Sequence, residues 1–388
     1  MTDVRKLSID SFKAQFKKEP TMQSYAPGRV NIIGEHTDYN GGFVLPCAIK
    51  FGTSMAAREN GTDTMRIFAA DIDGGDYDEF SISSSIEKSR DKLWTNYLRG
   101  MTQLITREFG TKVKGLDVAI SGDIPLGAGL SSSASLEVAF GYLVSCAFKL
   151  EIPLQQIALM GQAAEAYIGM KCGIMDQTIC ACGRKDHALC IDCKSLELTQ
   201  VTVPSNLVIM VINSNVKHQL VGSEYNDRRE SCEKAAKIMG VELLRDATMQ
   251  MLENSKSKLD NDSYKRARHV ITEDKRVEDA IVAFKNGNLK ELSALMYASH
   301  CSMRDDFENS IPEIDGLVEI ISKTLGEGKN AVRMTGGGFG GSVVAVVEPA
   351  DVEKVKAAVK EQYPAISGRE ATIFETHACD GASFATLL

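Results

Sequence analysis

The sequence predicts an α+β fold in two domains, on three observations. Strand-like and helix-like segments alternate along the whole chain, with no internal repeat or low-complexity tract. The chain has 388 residues, enough for two substantial cores. A strand-like run, Leu116 to Ile120, leads through a glycine- and serine-rich loop into a helix-like run. No linker marks the junction. It is placed near residue 200, giving domains over 1–200 and 201–388.

In the first domain, Tyr25 to Ile33 and Phe43 to Met55 read as strands around a loop, and Met65 to Ala70 and Leu116 to Ile120 as further strands. Beyond the glycine–serine loop, Leu136, Ala139, Phe140, Leu143, Val144 and Ala147 recur at helical spacing, so that helix buries one face. A second helix follows Pro153, and Gly173 is read as its end. In the second domain Leu207 to Asn213 is a buried strand, and charged helical segments fill 223–302. Val332 to Met334 and Ser342 to Val347 are strands on either side of the run Thr335 to Gly341.

Composition narrows the function classes. A hydrophobic fraction of 44% beside 25% charged residues fits a globular chain rather than a disordered one. The net charge of −8 argues against a nucleic-acid or anionic-membrane surface, which needs a basic field. Met1 to Pro20 is polar and charged, unlike a signal peptide, and no apolar run is long enough to span a bilayer. The expectation is a cytoplasmic protein, a monomer, with neither nucleic acid nor membrane as partner. Cys180, Cys182, Cys190 and Cys193, with His187 between them, raise a zinc alternative. The second pair lies in the apolar, strand-like run Ala188 to Cys193, so these thiols are expected as small core residues.

The run Gly122 to Ser135 carries the first chemical signal. Its glycines let the backbone turn tightly and approach a ligand, and its serines stand where a helix begins. Free N–H groups, hydroxyls and the positive end of the helix would then face one spot, which suits an anion, most often a phosphate. No lysine follows the glycines as in a Walker A loop. The alternative is a turn followed by a serine N-cap.

Three further stretches offer reactive groups. Glu165 lies on the apolar face formed by Leu154, Ile157, Ala158, Gly161 and Ile168. A carboxylate there needs a salt bridge or a cation, and Mg²⁺ held with Ser133 is the functional reading. Asp176, after Gly173, is either an N-cap or a carboxylate placed to accept a hydroxyl proton. Glu35, His36 and Asp38 cluster in a loop after a strand. They form a solvated loop, a metal site, or a set of directional partners for sugar hydroxyls.

Together these segments resemble the galactokinases of the GHMP small-molecule kinase superfamily, over nearly the whole chain. Gly28-Arg29-Val30-Asn31-Ile32-Ile33-Gly34-Glu35-His36-Thr37-Asp38-Tyr39-Asn40 is similar to the galactokinase signature. The Gly127-to-Ser135 loop resembles the superfamily's phosphate loop, and Met334 to Gly341 its third motif. Cys172 to Gln177, Gly222 to Tyr225 and Ser302 to Phe307 match as well.

The resemblance implies ATP-dependent phosphorylation of the anomeric hydroxyl of galactose, with Mg²⁺. It implies an N-terminal domain like ribosomal protein S5 domain 2, a C-terminal GHMP α+β domain, and a site between them. Asp176 matches the base and Arg29 the stabiliser of transition-state charge. Ser133 and Glu165 match the magnesium ligands. Glu35, His36, Thr37, Asp38, Gly173 and Tyr225 match sugar contacts. Gly127, Ala128, Gly129, Leu130, Ser131, Ser132 and Ser133 match the phosphate cradle. Trp94 and Tyr97 match part of the adenine pocket, with ordinary core aromatics as their alternative. Two other readings stand beside this one. An N-acetylgalactosamine kinase is the first, and a non-catalytic galactose and ATP sensor that binds a regulatory protein is the second. The intact Ser131 to Ser135 run and Asp176 favour an enzyme.

Overall fold

A computed structural model describes residues 3–387 apart from 73, 84, 126 and 217–220. Helix α1 (Val4–Phe16) is followed by strands β1 (Met22–Asn31), β2 (Phe43–Val44), β3 (Pro46–Glu59), β4 (Thr64–Ala69) and β5 (Asp76–Ser81). Next come α2 (Thr95–Phe109), β6 (Leu116–Gly122), α3 (Ser132–Ala147), α4 (Leu154–Ile168) and α5 (Met175–Cys182). Strands β7 (His187–Asp192) and β8 (Leu198–Thr202) pair with β2 in a small sheet.

The second half starts at β9 (Val208–Asn213), then helices α6 (Val221–Met239), α7 (Met249–Ser255), α8 (Asn261–Lys285), α9 (Leu289–Ser302) and α10 (Pro312–Leu325). It closes with β10 (Val332–Thr335), β11 (Ser342–Val347), α11 (Val352–Ser367), β12 (Thr372–Thr376) and β13 (Ser383–Thr386).

The first sheet runs β13-β1-β3-β6-β4-β5. Its residues alternate between two faces, as pleating requires. Met55, Ala57, Met65, Ile67, Val118 and Ile120 face the core under α2, α3 and α4, while Ala56 and Ala119 face Phe12 of α1. Strand β13 comes from the far C-terminus and pairs with β1, Met22 opposite Thr386, tying the end of the chain to the first half.

The second sheet runs β10-β11-β9-β12. All six residues of β9 are buried because both faces are covered. Met210 and Ile212 pack under the helices of the second half. Ile209 and Val211 join a core with Val30, Ile32, Leu45 and Ile49 of the first half. This shared apolar seam fixes the two halves against each other, so groups from both can hold one position at its edge.

Candidate active site

Arg29 is aimed by an irregularity in β1. The pairing of β1 with β3 slips between Pro27 and Arg29, and such a bulge redirects a side chain. Gly28 occupies the slip because a Cβ there would lie 2.5 Å from the Leu130 carbonyl oxygen. The Arg29 N–H donates to that same carbonyl (3.1 Å), locking strand to loop. The buried guanidinium donates from Nε and Nη2 to the two carboxylate oxygens of Asp176 (2.7 and 2.8 Å), and from Nη1 to the Gly129 carbonyl (2.6 Å). Burial opposes the charge on Arg29, but Asp176 and Glu35 outweigh it and raise its pKa.

The glycine–serine loop forms the next wall. Gly127 and Gly129 take φ of 72° and 70°, and Ser131 follows at 63°. Ser131 stands at the cap position of α3 but makes no capping bond. Its hydroxyl donates instead to Asp176 Oδ2 (2.5 Å). The serine-cap alternative therefore gives way to an uncapped helix start whose first-turn N–H groups are left for another acceptor. Ala128 and Leu130 are buried in the shared seam, so they support the loop from behind. Leu126, at the loop's start, lies outside the described residues.

Asp176 sits in the first turn of α5, and Ile174, not Asp176, holds the cap position. The Met175 N–H is taken by Asp38 from the distant loop (3.4 Å). Gly173 does not end the preceding helix either; Gly169 does, in the left-handed conformation. Gly173 makes room for Asp38, whose Oδ2 would lie 1.9 Å from a Cβ at that position. Burial, with Asp176 second, pushes the Asp38 carboxyl up to about 6.

Glu165 is 6% exposed on the last turn of α4. Among the described residues no cation pairs with it, which removes the salt-bridge alternative; the Ser133 side chain lies near enough to oppose the rise in its pKa. Burial pushes its pKa up to about 7, helped by Asp176. Behind it lies the fully buried Glu137 of α3, which accepts from the Gln177 amide (3.1 Å). Burial and then Glu165 push the Glu137 carboxyl well above the usual carboxylate range.

On the opposite wall, Glu35 Oε1 accepts from the Gly336 N–H (2.7 Å) and the Arg333 guanidinium (3.3 Å). His36 is neutral, its pKa lowered by burial to about 3. Its Nδ1 meets the Tyr39 hydroxyl (2.8 Å) and its Nε2 the Asn309 amide (3.0 Å). Its ring centre lies 4.4 Å from that of Phe307 and 5.2 Å from that of Tyr225. Thr37 does not reach the opening. It is fully buried, and its hydroxyl donates to the Gly34 and Phe43 carbonyls, so it shapes the loop rather than the wall.

These walls enclose two adjoining cavities. One, of ≈ 210 Å³, is polar and lined by Arg29, Glu35, His36, Asp38, Glu165, Gly173, Asp176 and Tyr225. The other, of ≈ 370 Å³, is mostly apolar and lined by Trp94, Tyr97, Ile120, Leu136 and Ser132. Ser133 lines both. Trp94 is steadied by a bond from Nε1 to Asp76 (2.8 Å).

Sequence reasoning missed Glu137, Arg333 and Asn309. The rule that singled out Glu165, a charge inside an apolar pattern, also applies to Glu137 within α3 and Arg333 within β10. Asn309 lies in a loop and carries no such signal.

Residues 10–59 match the family model described as the galactokinase galactose-binding signature. Residues 96–184 match the GHMP kinases N terminal domain, and 280–365 the GHMP kinases C terminal domain. A galactokinase of Pasteurella multocida is 46% identical over 376 residues, covering 96% of this chain and 97% of that protein. The chain belongs to the galactokinases. A galactokinase of Actinobacillus succinogenes is 45% identical, with 95% and 96% covered. The Lactococcus lactis galactokinase, solved complexed with galactose, has a TM-score of 0.91 at 33% identity, covering 97% of this chain and 98% of that one. The Methanococcus jannaschii mevalonate kinase shares the fold, with a TM-score of 0.63 at 20% identity over 93% and 99% of the two chains. As a galactokinase the protein is a kinase, with ATP as its phosphoryl donor. Among the described residues no helix is long and apolar enough to cross a membrane.

Proposed function

We propose that the polar cavity binds galactose, that the apolar cavity binds the adenine of ATP, and that phosphoryl transfer occurs where they meet. The observation that carries this is the Arg29–Asp176 pair, tied to the loop by Gly129 and Ser131. A carboxylate offers about four acceptor sites. Arg29 and Ser131 fill three of them on Asp176, leaving one on Oδ1 for a sugar hydroxyl.

The anomeric hydroxyl attacks the terminal phosphorus of ATP. The oxygen–phosphorus bond forms as the bond to the ADP oxygen breaks, and the hydroxyl proton passes to Asp176. The products are galactose 1-phosphate and ADP. Arg29 holds positive charge beside the transferring group, and the uncapped start of α3 with Ser131 to Ser133 receives the phosphates. Transfer through a loose transition state asks mainly for this positioning.

The residues fit a magnesium ion. Glu165 is a buried carboxylate with no cation beside it among the described residues, and the Ser133 near it lines both cavities. Among the described residues no three metal-binding side chains converge. Glu165 and Ser133 would therefore hold the ion jointly with ATP phosphate oxygens. Bound there, it supplies neutralisation of phosphate charge.

A cytoplasmic monomer suits the remaining features. All ten cysteines are free thiols, as a reducing compartment keeps them. Among the described residues the exposed large apolar side chains are Ile72, Leu93, Val282, Tyr297 and Ile366, spread over five segments of the chain.

A coupled ADP-release assay over a panel of monosaccharides that includes N-acetylgalactosamine tests the reading. Galactose is expected to be the preferred acceptor. Asp176→Asn is expected to lower turnover by about 10²–10⁴-fold while ATP still binds, the range for a lost acid–base group. Near-normal turnover in that variant removes Asp176 from the mechanism.

A further inference from the structure

Arg333 is the largest fully buried side chain among the described residues. It stands in β10, in the second half of the chain, yet it points at the loop of the first half that carries Glu35. Its Nη1 donates to Glu35 Oε1 (3.3 Å) and to the Asn31 carbonyl (3.2 Å), and its Nε donates to Ser299 Oγ (3.1 Å). Ser299 in turn donates to Glu273 (2.5 Å), and the same Glu273 oxygen accepts the Gly34 N–H (3.0 Å). Glu273 is balanced by Arg276 at 2.6 Å. Helices α8 and α9 thus grip the Glu35 loop through a chain of buried, charge-assisted bonds, the stronger kind.

The grip is one-sided. Glu35 Oε1 receives both the Arg333 guanidinium and the Gly336 N–H, and its backbone carbonyl lies 3.0 Å from His269 Nε2. Glu35 lines the polar cavity, so the oxygen that no described residue holds is the one presented to a ligand. Gly336 also lies against the phosphate loop: a Cβ there would stand 3.0 Å from the Gly129 carbonyl oxygen that Arg29 engages. The clamp on Glu35 and the clamp on Asp176 therefore share one backbone contact.

We infer that Arg333 is a positioning residue for sugar selection, holding one oxygen of Glu35 from behind so that the other meets one particular sugar hydroxyl. This rests on the reading that the polar cavity holds galactose. Arg333 itself touches no substrate. The hydroxyl that Glu35 meets is thereby selected by a side chain from the opposite half of the molecule.

The test is steady-state kinetics of the full chain with galactose and a set of its monodeoxy analogues, in wild type, Glu35→Gln, Arg333→Met, Arg333→Lys and Ser299→Ala. Arg333→Met is expected to raise the galactose KM about ten- to a hundredfold, the worth of a hydrogen bond to a charged group, and to leave the ATP KM unchanged. Wild type discriminates against the one analogue that lacks the hydroxyl met by Glu35. Glu35→Gln and Arg333→Met are both expected to lose that discrimination and keep it against the other analogues. Arg333→Lys should fall between, because an ammonium cannot reproduce the guanidinium fork. Ser299→Ala, which removes the Nε bond and the hydroxyl's bond to Glu273 but leaves Nη1 on Glu35, should shift the same quantities less. These two variants carry the test if Arg333→Met does not fold. A loss confined to kcat, equal for every sugar, makes Arg333 merely structural and overturns the inference. So does unchanged discrimination in the Arg333 variants while Glu35→Gln alters it. If Glu35→Gln itself changes neither KM nor discrimination, the placement of galactose fails instead.

Discussion

Replacing Glu165 by glutamine should make the ligand-free protein more stable and the enzyme worse. Glu165 is nearly buried, has no cation among the described residues, and carries a pKa raised from 4.5 to about 7, chiefly by burial. At about 1.4 kcal/mol per pH unit, that rise means folding penalises the ionised form by about 3 kcal/mol. The sign follows from linkage: the folded state keeps a proton that the unfolded chain has released. Stability from this group is therefore full below 4.5, erodes as pH climbs, and is gone above about 7. Glutamine, of nearly the same shape, never ionises. At about 2 cal/mol/K per residue, the unfolding entropy of a chain this long turns 3 kcal/mol into a rise of about 4 °C in Tm at about pH 8. The difference should shrink towards zero near about pH 5, where wild-type Glu165 is largely protonated. Thermal melts of both proteins at the two pH values, with and without Mg²⁺ and ADP, read this directly. With ligand the order should reverse, because wild type gains binding free energy that the variant lacks. A Glu165→Gln protein less stable than wild type at the higher pH without ligand, or a difference indifferent to pH, would refute the reasoning.

Two substitutions separate the cavities. Gly173→Ala would put a Cβ 1.9 Å from Asp38 Oδ2, displacing Asp38 from the start of α5 and Asp176 with it. A shift of about an ångström can cost about a hundredfold, so kcat/KM for galactose should fall by that order while nucleotide affinity holds. Equal galactose kinetics would show that Asp38 moves aside freely. Trp94→Ala removes an aromatic wall from the apolar cavity. The ATP KM should rise about tenfold or more, as for a lost base-stacking partner, with the galactose KM unchanged. A shift in the galactose KM alone would assign the cavities the other way round.

The elements that read clearly in sequence are those whose signal is local. The expected strand Ser342 to Val347 and the helix after Pro153 form as read, because a valine-rich run and an apolar stripe leave little choice of period. Glu165 could be picked out since a carboxylate on an apolar stripe contradicts its own helix. Where local rules failed, a distant group had taken over. Ser131 does not cap its helix because Asp176, 45 positions away, takes its hydroxyl. Asp176 is not a cap because Asp38 takes the N–H at the start of α5. Gly173 is a glycine for Asp38's sake, not to stop a helix.

The order of residues by itself determined the strand–loop–helix units, the glycines that allow their turns, and the stock of carboxylates, serines and one arginine from which a kinase site can be made. Which of those groups face one another was decided only by tertiary packing. The apolar seam around Val30, Ile209 and Val346 sets the angle between the halves, and the bulge at Gly28 sets the direction of Arg29. Neither can be read locally, because hydrogen bonds and ion pairs act over a few ångströms of space. At this site they join Ser131 to Asp176, 45 positions apart, and Glu35 to Gly336, 301 positions apart.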